Sequence, residues 1–344
     1  MRGIANDLIR SYLSDRKQFV AINDCRSSLQ HMSIGVPQGS NIGPLLFLIF
    51  INDLSNLKLR GVPRLFADDT ALFYPHLNIQ SIVQDIESDL ASLTNYFNGN
   101  LLSLNLSKTK YMVFHSPRKK IFSYPDPCVG NLRIEKVSSF KYLGLHLDSC
   151  LSWNNHIQQV SNKVSSLCGL MKRVRSFVPN EALLRFYFAC IHSVLQYLIV
   201  AWGHAAKSKL KKLQSLQNRC LKLIFNLPHL FPTIALYNYS NHKVMPILAL
   251  RDIQTITFVH NTLNNRKFHH NLVFSARVNL HNTRHANELM RSSASTNLGL
   301  TRITNYGPLK FNALPNELKE ISNSIIFKSK LKHHIRRNVN EFIL

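Results

Sequence analysis

The sequence holds 344 residues, 45% of them hydrophobic, with 42 Lys and Arg against 18 Asp and Glu, a formal net charge of +24. Such length and apolar content suit two or three globular domains and argue against a disordered chain. The basic excess points to a polyanionic partner rather than to an acid-rich surface of its own. Six cysteines (Cys25, Cys128, Cys150, Cys168, Cys190, Cys220) stand far apart, and no Cys/His set has zinc spacing, which speaks against a disulfide scaffold or a zinc module. The start, Met1 to Asp7, is polar and interrupted and does not read as a secretory signal, so the expected location is the nucleus, the cytoplasm or both. The longest apolar run, Phe186 to Val200, contains His192 and Gln196 and falls short of the roughly 20 residues of a membrane span; it reads as a buried helix, and no membrane partner is expected.

In chain order, Ile4 to Leu13 is predicted helical, Ser14 to Lys17 a turn and Gln18 to Ile22 a β-like run. The segment Gly35-Val36-Pro37-Gln38-Gly39-Ser40 is a loop whose glycines let backbone approach a ligand closely. It leads into a helical run, Gly43 to Leu54, and a helix start favours phosphate. In Arg64 to Tyr74, the strand-forming Leu65-Phe66-Ala67 and Ala71-Leu72-Phe73-Tyr74 flank Asp68-Asp69, which places both carboxylates at a hairpin turn. Two charges between buried strands are costly unless compensated, and Mg²⁺ or Mn²⁺ would suit their hard oxygens. A solvated Asp-Asp turn is the simpler alternative.

From Asn78 to Gly99 apolar residues recur at three- and four-residue spacing, predicting an amphipathic helix that packs on its neighbours by one face. Leu104 to Phe114 turns into a strand in its second half, with Lys108 and Lys110 before it. Residues 116–131 form a Pro/Gly-rich loop with Lys119-Lys120, and Val137 to Leu147 gives two short strands around Lys141-Tyr142-Leu143-Gly144. Helices are predicted over 154–176, 180–202 and 207–226, the second started by Pro179-Asn180, the third capped by Ser208, and the bundle ended at Leu227-Pro228. In the third, Leu210, Leu213, Leu216, Cys220 and Ile224 make the apolar stripe, while Lys207, Lys209, Lys211, Lys212, Arg219 and Lys222 crowd the other surface. That density suits a grip on nucleic-acid phosphates; a solvated face is the alternative. Beyond lie an apolar helix near 243–264, a His/Asn-rich loop including residues 281–285, a turn-bounded segment Gly307 to Pro315, and a basic helix from Phe327 to Arg337.

The succession GVPQGS, FADDT, LNLSKTKYMVF and FKYLGLHLD resembles the B, C, D and E motifs of reverse transcriptases, in the style of non-LTR (LINE-type, jockey-like and chicken-repeat-like) retrotransposons. The resemblance spans roughly residues 10–230, and the C-terminal stretch is similar to the tail of such polyproteins. It implies an α+β fold: a partial polymerase palm over 1–149, a helical thumb over 150–230 and a mostly helical, basic region over 231–344. It further implies two-metal nucleotidyl transfer from a dNTP to a DNA primer on an RNA template, with Mg²⁺ or Mn²⁺ on Asp68 and Asp69. Pro37, Gln38, Gly39 and Ser40 would position template and nucleotide, Phe66 and Ala67 would pack beneath the site, and Lys108 or Lys110 would stand near the departing pyrophosphate. Lys141, Tyr142, Leu143 and Gly144 would grip the primer. The family's first metal-binding aspartate lies on an earlier strand. Asp7, Asp15 and Asp24, the acids ahead of the loop, lack that context, so the expectation is an N-terminally truncated chain with weak or no activity by itself. A non-enzymatic nucleic-acid binder using the thumb and C-terminal surfaces is the alternative.

Overall fold

Apolar residues at helical spacing dominate the chain, and the strands between the helices are short. The computed structural model describes residues 2–75, 78–118, 124–239, 244–264 and 288–344; Lys119-Lys120 and residues 281–285 lie outside the described residues. The chain divides into two compact units, Met1–Tyr111 with Lys120–Val137, and Met112–Lys119 with Ser138–Leu344. The fold is α+β, as expected from the sequence.

In the first unit, α1 spans Ile4–Leu13 and is followed by β1 (Lys17–Gln18), β2 (Ala21–Ile22), β3 (Cys25–Arg26) and β4 (Gln30–His31). The expected run from Gln18 to Ile22 is split: β1 pairs with β4, and β2 with β3. Val20 exchanges hydrogen bonds with Ser27, whose hydroxyl and N–H both serve it, and this ends one ladder where the next begins. Helix α2 (Gly43–Ile51) is followed by a 3₁₀ turn at Asn52–Asn56, then β5 (Val62–Phe66), β6 (Asp69–Phe73) and α3 (Ile79–Gly99). Asn78 caps α3 by accepting the N–H of Gln80, as a short polar residue at a helix start does. Ile51, Leu54 and Leu93 form a small core, with Phe47, Leu65, Leu72 and Phe97 packed against it.

The strand expected through Phe114 is reduced to β7 (Lys110–Tyr111). After it come β8 (Cys128–Val129), β9 (Leu132–Arg133) and β10 (Glu135–Lys136); β8 and β9 form a hairpin, and β10 joins β7 in parallel. Among the described residues each strand pairs with one partner only. Helix α3 therefore packs beside a two-stranded hairpin.

The second unit opens with β11 (Ser139–Tyr142) and β12 (Leu145–Asp148), then α4 (Asn154–Val174) and α5 (Asn180–Phe186). A π-helical turn, Tyr187–His192, leads into α6 (Ser193–Gln196), followed by α7 (Ile199–Trp202) and α8 (Lys207–Ile224). The helix expected over 180–202 is thus interrupted at Tyr197 and Leu198, where Leu198 takes a φ of 47° and the indole of Trp202 donates to the Tyr197 carbonyl at 2.8 Å. Ser208 does not cap α8; Ala206 precedes the helix and no side chain caps it.

Then come α9 (Thr233–Tyr239), α10 (Ile247–Asn264), α11 (Asn297–Thr301), α12 (Ile303–Asn312), α13 (Asn316–Lys319) and α14 (Ser324–Arg337). The segment expected to be turn-bounded from Gly307 falls largely within α12, with Pro308 inside the helix. Proline removes the bond that Thr304 would accept from position 308. The N–H of Ser292 donates to the Thr304 carbonyl instead, at 3.2 Å, which is how the helix tolerates it. One hydrophobic cluster runs from Leu145 through the helices to Val339, so α10, α12 and α14 share a core with α4 and α8. Two glutamines on α8 are buried in it, Gln217 donating to the Tyr187 hydroxyl at 2.8 Å and Gln214 accepting from the N–H of Ile247 at 2.9 Å. Among the described residues, no helix is long and apolar enough to cross a membrane.

Candidate active site

The hairpin of β5 and β6 pairs Val62 with Phe73, Arg64 with Ala71 and Phe66 with Asp69. That register leaves Ala67 and Asp68 as a two-residue turn and makes Asp69 the first residue of β6. The turn is shifted by one residue from the expected Asp68-Asp69 position. Ala67 adopts a φ of 51°, a left-handed conformation that a two-residue hairpin requires at its first central position and that glycine would supply without strain. Asp68 and Asp69 are both exposed rather than enclosed between buried strands, and Phe66 is 62% exposed. The carboxylates are consecutive, one on the turn and one on the strand, and both stand free for an external ligand.

A buried carboxylate anchors the hairpin from below. Asp89 on α3, 2% exposed, accepts the N–H of Arg60 at 3.0 Å, the N–H of Gly61 at 2.8 Å and the hydroxyl of Tyr74 at 3.0 Å. It therefore clamps the chain just before β5 and just after β6. Burial, reinforced by the Asp89 carboxylate, raises the Tyr74 pKa and keeps the phenol a donor. The helical pattern places Asp89 on the polar face with Gln84, Asp85, Glu87 and Ser88, yet the structure buries it. The signal was an acid at the helix face next to apolar Leu90 and Leu93.

The glycine-bearing loop lies in the same unit. Gly39 has a φ of 77°, which only glycine adopts freely, and Pro37 and Gln38 precede it in the turn. Ser40 is fixed from two sides: its Oγ accepts the Tyr12 hydroxyl at 2.5 Å and the N–H of Gly43 at 3.1 Å. The second bond occupies an N–H at the start of α2, so Ser40 is a local cap rather than a free hydroxyl. Tyr12, unremarked in the sequence, is the residue that ties α1 to this loop.

Lys108 and Lys110 are distinguished by their partners. Lys110, at the start of the parallel β7–β10 pair, forms an ion pair with Glu135. Lys108 is exposed on the turn before it.

In the second unit, Leu143 (φ 46°) and Gly144 (φ 80°) form the turn between β11 and β12, the positive pair that a type I′ hairpin demands. The hydroxyl of Tyr197 donates to the Leu143 carbonyl at 2.9 Å. At the other end, Asp148 accepts the N–H groups of Cys150, Ser152 and Trp153 at 3.2, 2.9 and 2.8 Å, and the Ser152 hydroxyl at 3.2 Å. That carboxylate fastens the hairpin to the start of α4. Buried His156 on α4 stacks among His146, Trp153 and Trp202. Burial, then the nearby His146, lowers its pKa to about 4. Lys141 is exposed and Tyr142 half-buried on β11.

On α8, at about 100° per residue, Lys207, Lys211, Lys212, Arg219 and Lys222 fall on the arc opposite the buried Leu210, Leu213, Gln217 and Ile224. Lys209 borders the core face and is half-buried. Lys222 donates to the His229 carbonyl at 2.6 Å, and Lys212 reaches Gln158 at 3.4 Å.

As a cation site, Asp68 and Asp69 offer the hard oxygen donors that Mg²⁺ prefers. Among the described residues, however, no group of three or more His, Cys, Asp or Glu side chains converges. The described residues thus do not by themselves make a complete metal site.

Residues 2–147 match the family described as reverse transcriptase (RNA-dependent DNA polymerase), and the chain carries a reverse transcriptase domain over this stretch. Its kind is that of the non-LTR transposons. The chain is 30% identical over 233 residues to the probable RNA-directed DNA polymerase from transposon BS of Drosophila melanogaster, covering 64% of this chain and 26% of that protein. It is 25% identical over 232 residues to the RNA-directed DNA polymerase from mobile element jockey of the same fly, covering 64% and 25%. With the probable RNA-directed DNA polymerase from transposon X-element it shares 25% over 226 residues, covering 63% and 24%. The chain thus spans about a quarter of the length of the curated relatives it matches. No solved structure matches it. Polymerases of this family use divalent metal ions.

Proposed function

We propose that the chain is the palm-and-thumb part of an RNA-directed DNA polymerase, acting on an RNA template, a DNA primer and dNTPs. The observation that carries this reading is the tight turn at Ala67–Asp68: two exposed carboxylates on a hairpin anchored by Asp89, within the stretch that matches the family. Asp68 and Asp69 are proposed as one corner of a divalent-cation site holding Mg²⁺ or Mn²⁺, the other ligands coming from outside the described residues.

Around it, the loop of Pro37, Gln38, Gly39 and Ser40 is proposed to position template and nucleotide, with Phe66 and Ala67 at the edge of the turn. Lys108 is proposed as the phosphate-side cation in preference to Lys110, whose charge Glu135 already balances. A lysine there acts as a point charge on phosphate or as a proton donor to the leaving group. Lys141, Tyr142, Leu143 and Gly144 are proposed to hold the primer, and the cationic arc of α8 to contact duplex phosphates.

The incomplete ligand set supports a second reading, a nucleic-acid binder without polymerase activity of its own. Both are tested by measuring dNTP incorporation on a primed RNA template with Mg²⁺ and with Mn²⁺. The expected result is weak extension, because among the described residues no third acidic or histidine side chain joins the two carboxylates, and one preorganised electrostatic element is commonly worth about 10² to 10³ in rate. Robust extension that Asp68→Asn abolishes would establish the enzyme and refute the expectation of weakness. Robust extension untouched by Asp68→Asn would refute the placement of the site.

A further inference from the structure

Helix α14 presents three cations, Lys328, Lys332 and Arg336, at four-residue steps. They follow one another about every 6 Å along one edge of the helix. The adjoining face, Phe327, Leu331 and Ile335, is buried in the core, so the helix is fixed in place. Among the described residues no ion pair joins the three to an Asp or Glu. The charges acting on Lys332 are of its own sign: after burial, Lys328 and Arg336 lower its pKa. Like charges at this spacing oppose helix formation. A row of three without a counter-charge among the described residues is suited to one supplied from outside.

Two further observations point to a ligand. Nε of Arg336 and Nδ1 of His192 are buried side-chain nitrogens without a hydrogen-bond partner. His192 closes the π-helical turn, a rare geometry frequent at functional sites. Lys332 is near enough to act on it electrostatically. Beside the imidazole, Phe188 is 36% exposed, its ring edge-on at 5.3 Å between centroids.

We infer that Lys328, Lys332, Arg336 and His192 form a binding site for the phosphodiester backbone of a single-stranded nucleic acid, with Phe188 offering a ring to a base. A linear row of cations matches a linear polyanion better than an isolated phosphate, and an aromatic face next to it suits stacking. A membrane surface fits less well, because Phe327, Leu331 and Ile335 are taken up by the core, leaving Ile325 and Ile326 exposed at the first turn alone. This inference rests on the nucleic-acid reading above but concerns a surface separate from the hairpin carboxylates and from α8.

The experiment titrates the full chain against a fluorescein-labelled single-stranded RNA of about 20 nucleotides, by anisotropy, across salt concentrations. Three phosphate contacts on a single strand contribute about two units of slope in log K against log salt. Lys328→Ala, Lys332→Ala and Arg336→Ala together are expected to flatten the slope by about that amount. The single change Lys332→Glu, with a native circular dichroism spectrum, is expected to weaken binding at least tenfold, and Lys332→Arg to restore it. Phe188→Ala is expected to weaken binding to the RNA and leave the salt slope unchanged. An unchanged slope in the triple variant with a native circular dichroism spectrum overturns the site, even where changes on α8 still weaken RNA. Equal losses of binding to inorganic phosphate or to phosphatidylserine vesicles, with RNA binding intact, also overturn it. A parent chain that binds no RNA refutes this site and the nucleic-acid reading together.

Discussion

Removing the Asp89 carboxylate tests whether the β5–β6 hairpin is held from α3. In Asp89→Ala three donors lose their acceptor: the N–H groups of Arg60 and Gly61 and the Tyr74 hydroxyl. The N–H of Arg60 lies beside an exposed side chain and can turn to water, whereas Gly61 is buried and Tyr74 half-buried. Each buried donor left without a partner costs about 1 to 3 kcal/mol, so the change should destabilise the first unit by about 3 to 5 kcal/mol. That is a large fraction of the stability of a unit in which few hydrophobic side chains are fully buried, Ile51, Leu54, Val83, Leu90, Leu93 and Ile134 among the described residues. Asp89→Asn retains one acceptor and should cost about half as much. Tyr74→Phe should cost about 1 to 2 kcal/mol, and a double-mutant cycle with Asp89→Ala should return a coupling of about 1 kcal/mol or more. Both tryptophans lie in the second unit, so fluorescence would miss the effect. The assay is amide hydrogen exchange of Val62 to Phe73 in graded denaturant. A loss below about 1 kcal/mol at these amides in Asp89→Ala, or a coupling near zero, would refute the clamp.

Replacing Lys209, Lys211 and Lys212 together by Ala should flatten the salt dependence of primer-template binding by up to about three units, measured by filter binding, while Asp68→Ala leaves it unchanged. Ala67→Gly relieves a φ of 51° and should stabilise the β5–β6 hairpin by about 0.5 to 1 kcal/mol, read by the same amide exchange. The low pKa of His156, about 4 against the ordinary 6.5, means that the unfolded chain binds more protons between these values. Stability of the second unit should therefore fall as pH drops from 6.5 towards 4, by up to about 3 kcal/mol from this residue, and His156→Gln should flatten that part of the urea-unfolding profile. Tyr197→Phe should speed exchange at Leu143 to Leu145 with little change in overall melting, since it removes one hydroxyl from one carbonyl.

Much of this fold is legible in the residue pattern where the period is long. The apolar spacing from Asn78 to Gly99 and the stripe of Leu210, Leu213 and Ile224 give helices α3 and α8 nearly to the residue. Short strands are harder, since two-residue ladders such as β1 to β4 are decided by side-chain hydrogen bonds like those of Ser27, not by periodicity. Pro308 reads as a helix stop, and its tolerance depends on a bond from Ser292, sixteen residues earlier, which no local pattern reveals. In the candidate site, the adjacent carboxylates and the glycine loop are visible as motifs. Asp89, Tyr12 and Tyr197 are not, because their partners lie 28, 28 and 54 residues away.

The ties of Asp148 and Tyr197 also bear on how such elements exchange parts by recombination. Leu145 belongs to the same core as the helices, and the Asp148 carboxylate is satisfied by N–H groups on the far side of residue 149. A crossover just after Ser149 would join a foreign hairpin to α4 and leave three backbone donors facing whatever side chain arrives at 148. A crossover at Val137 and Ser138, the seam between the two units, leaves every one of those ties within a single parent. Among shuffled descendants, the hairpin should be inherited with the helices that follow it.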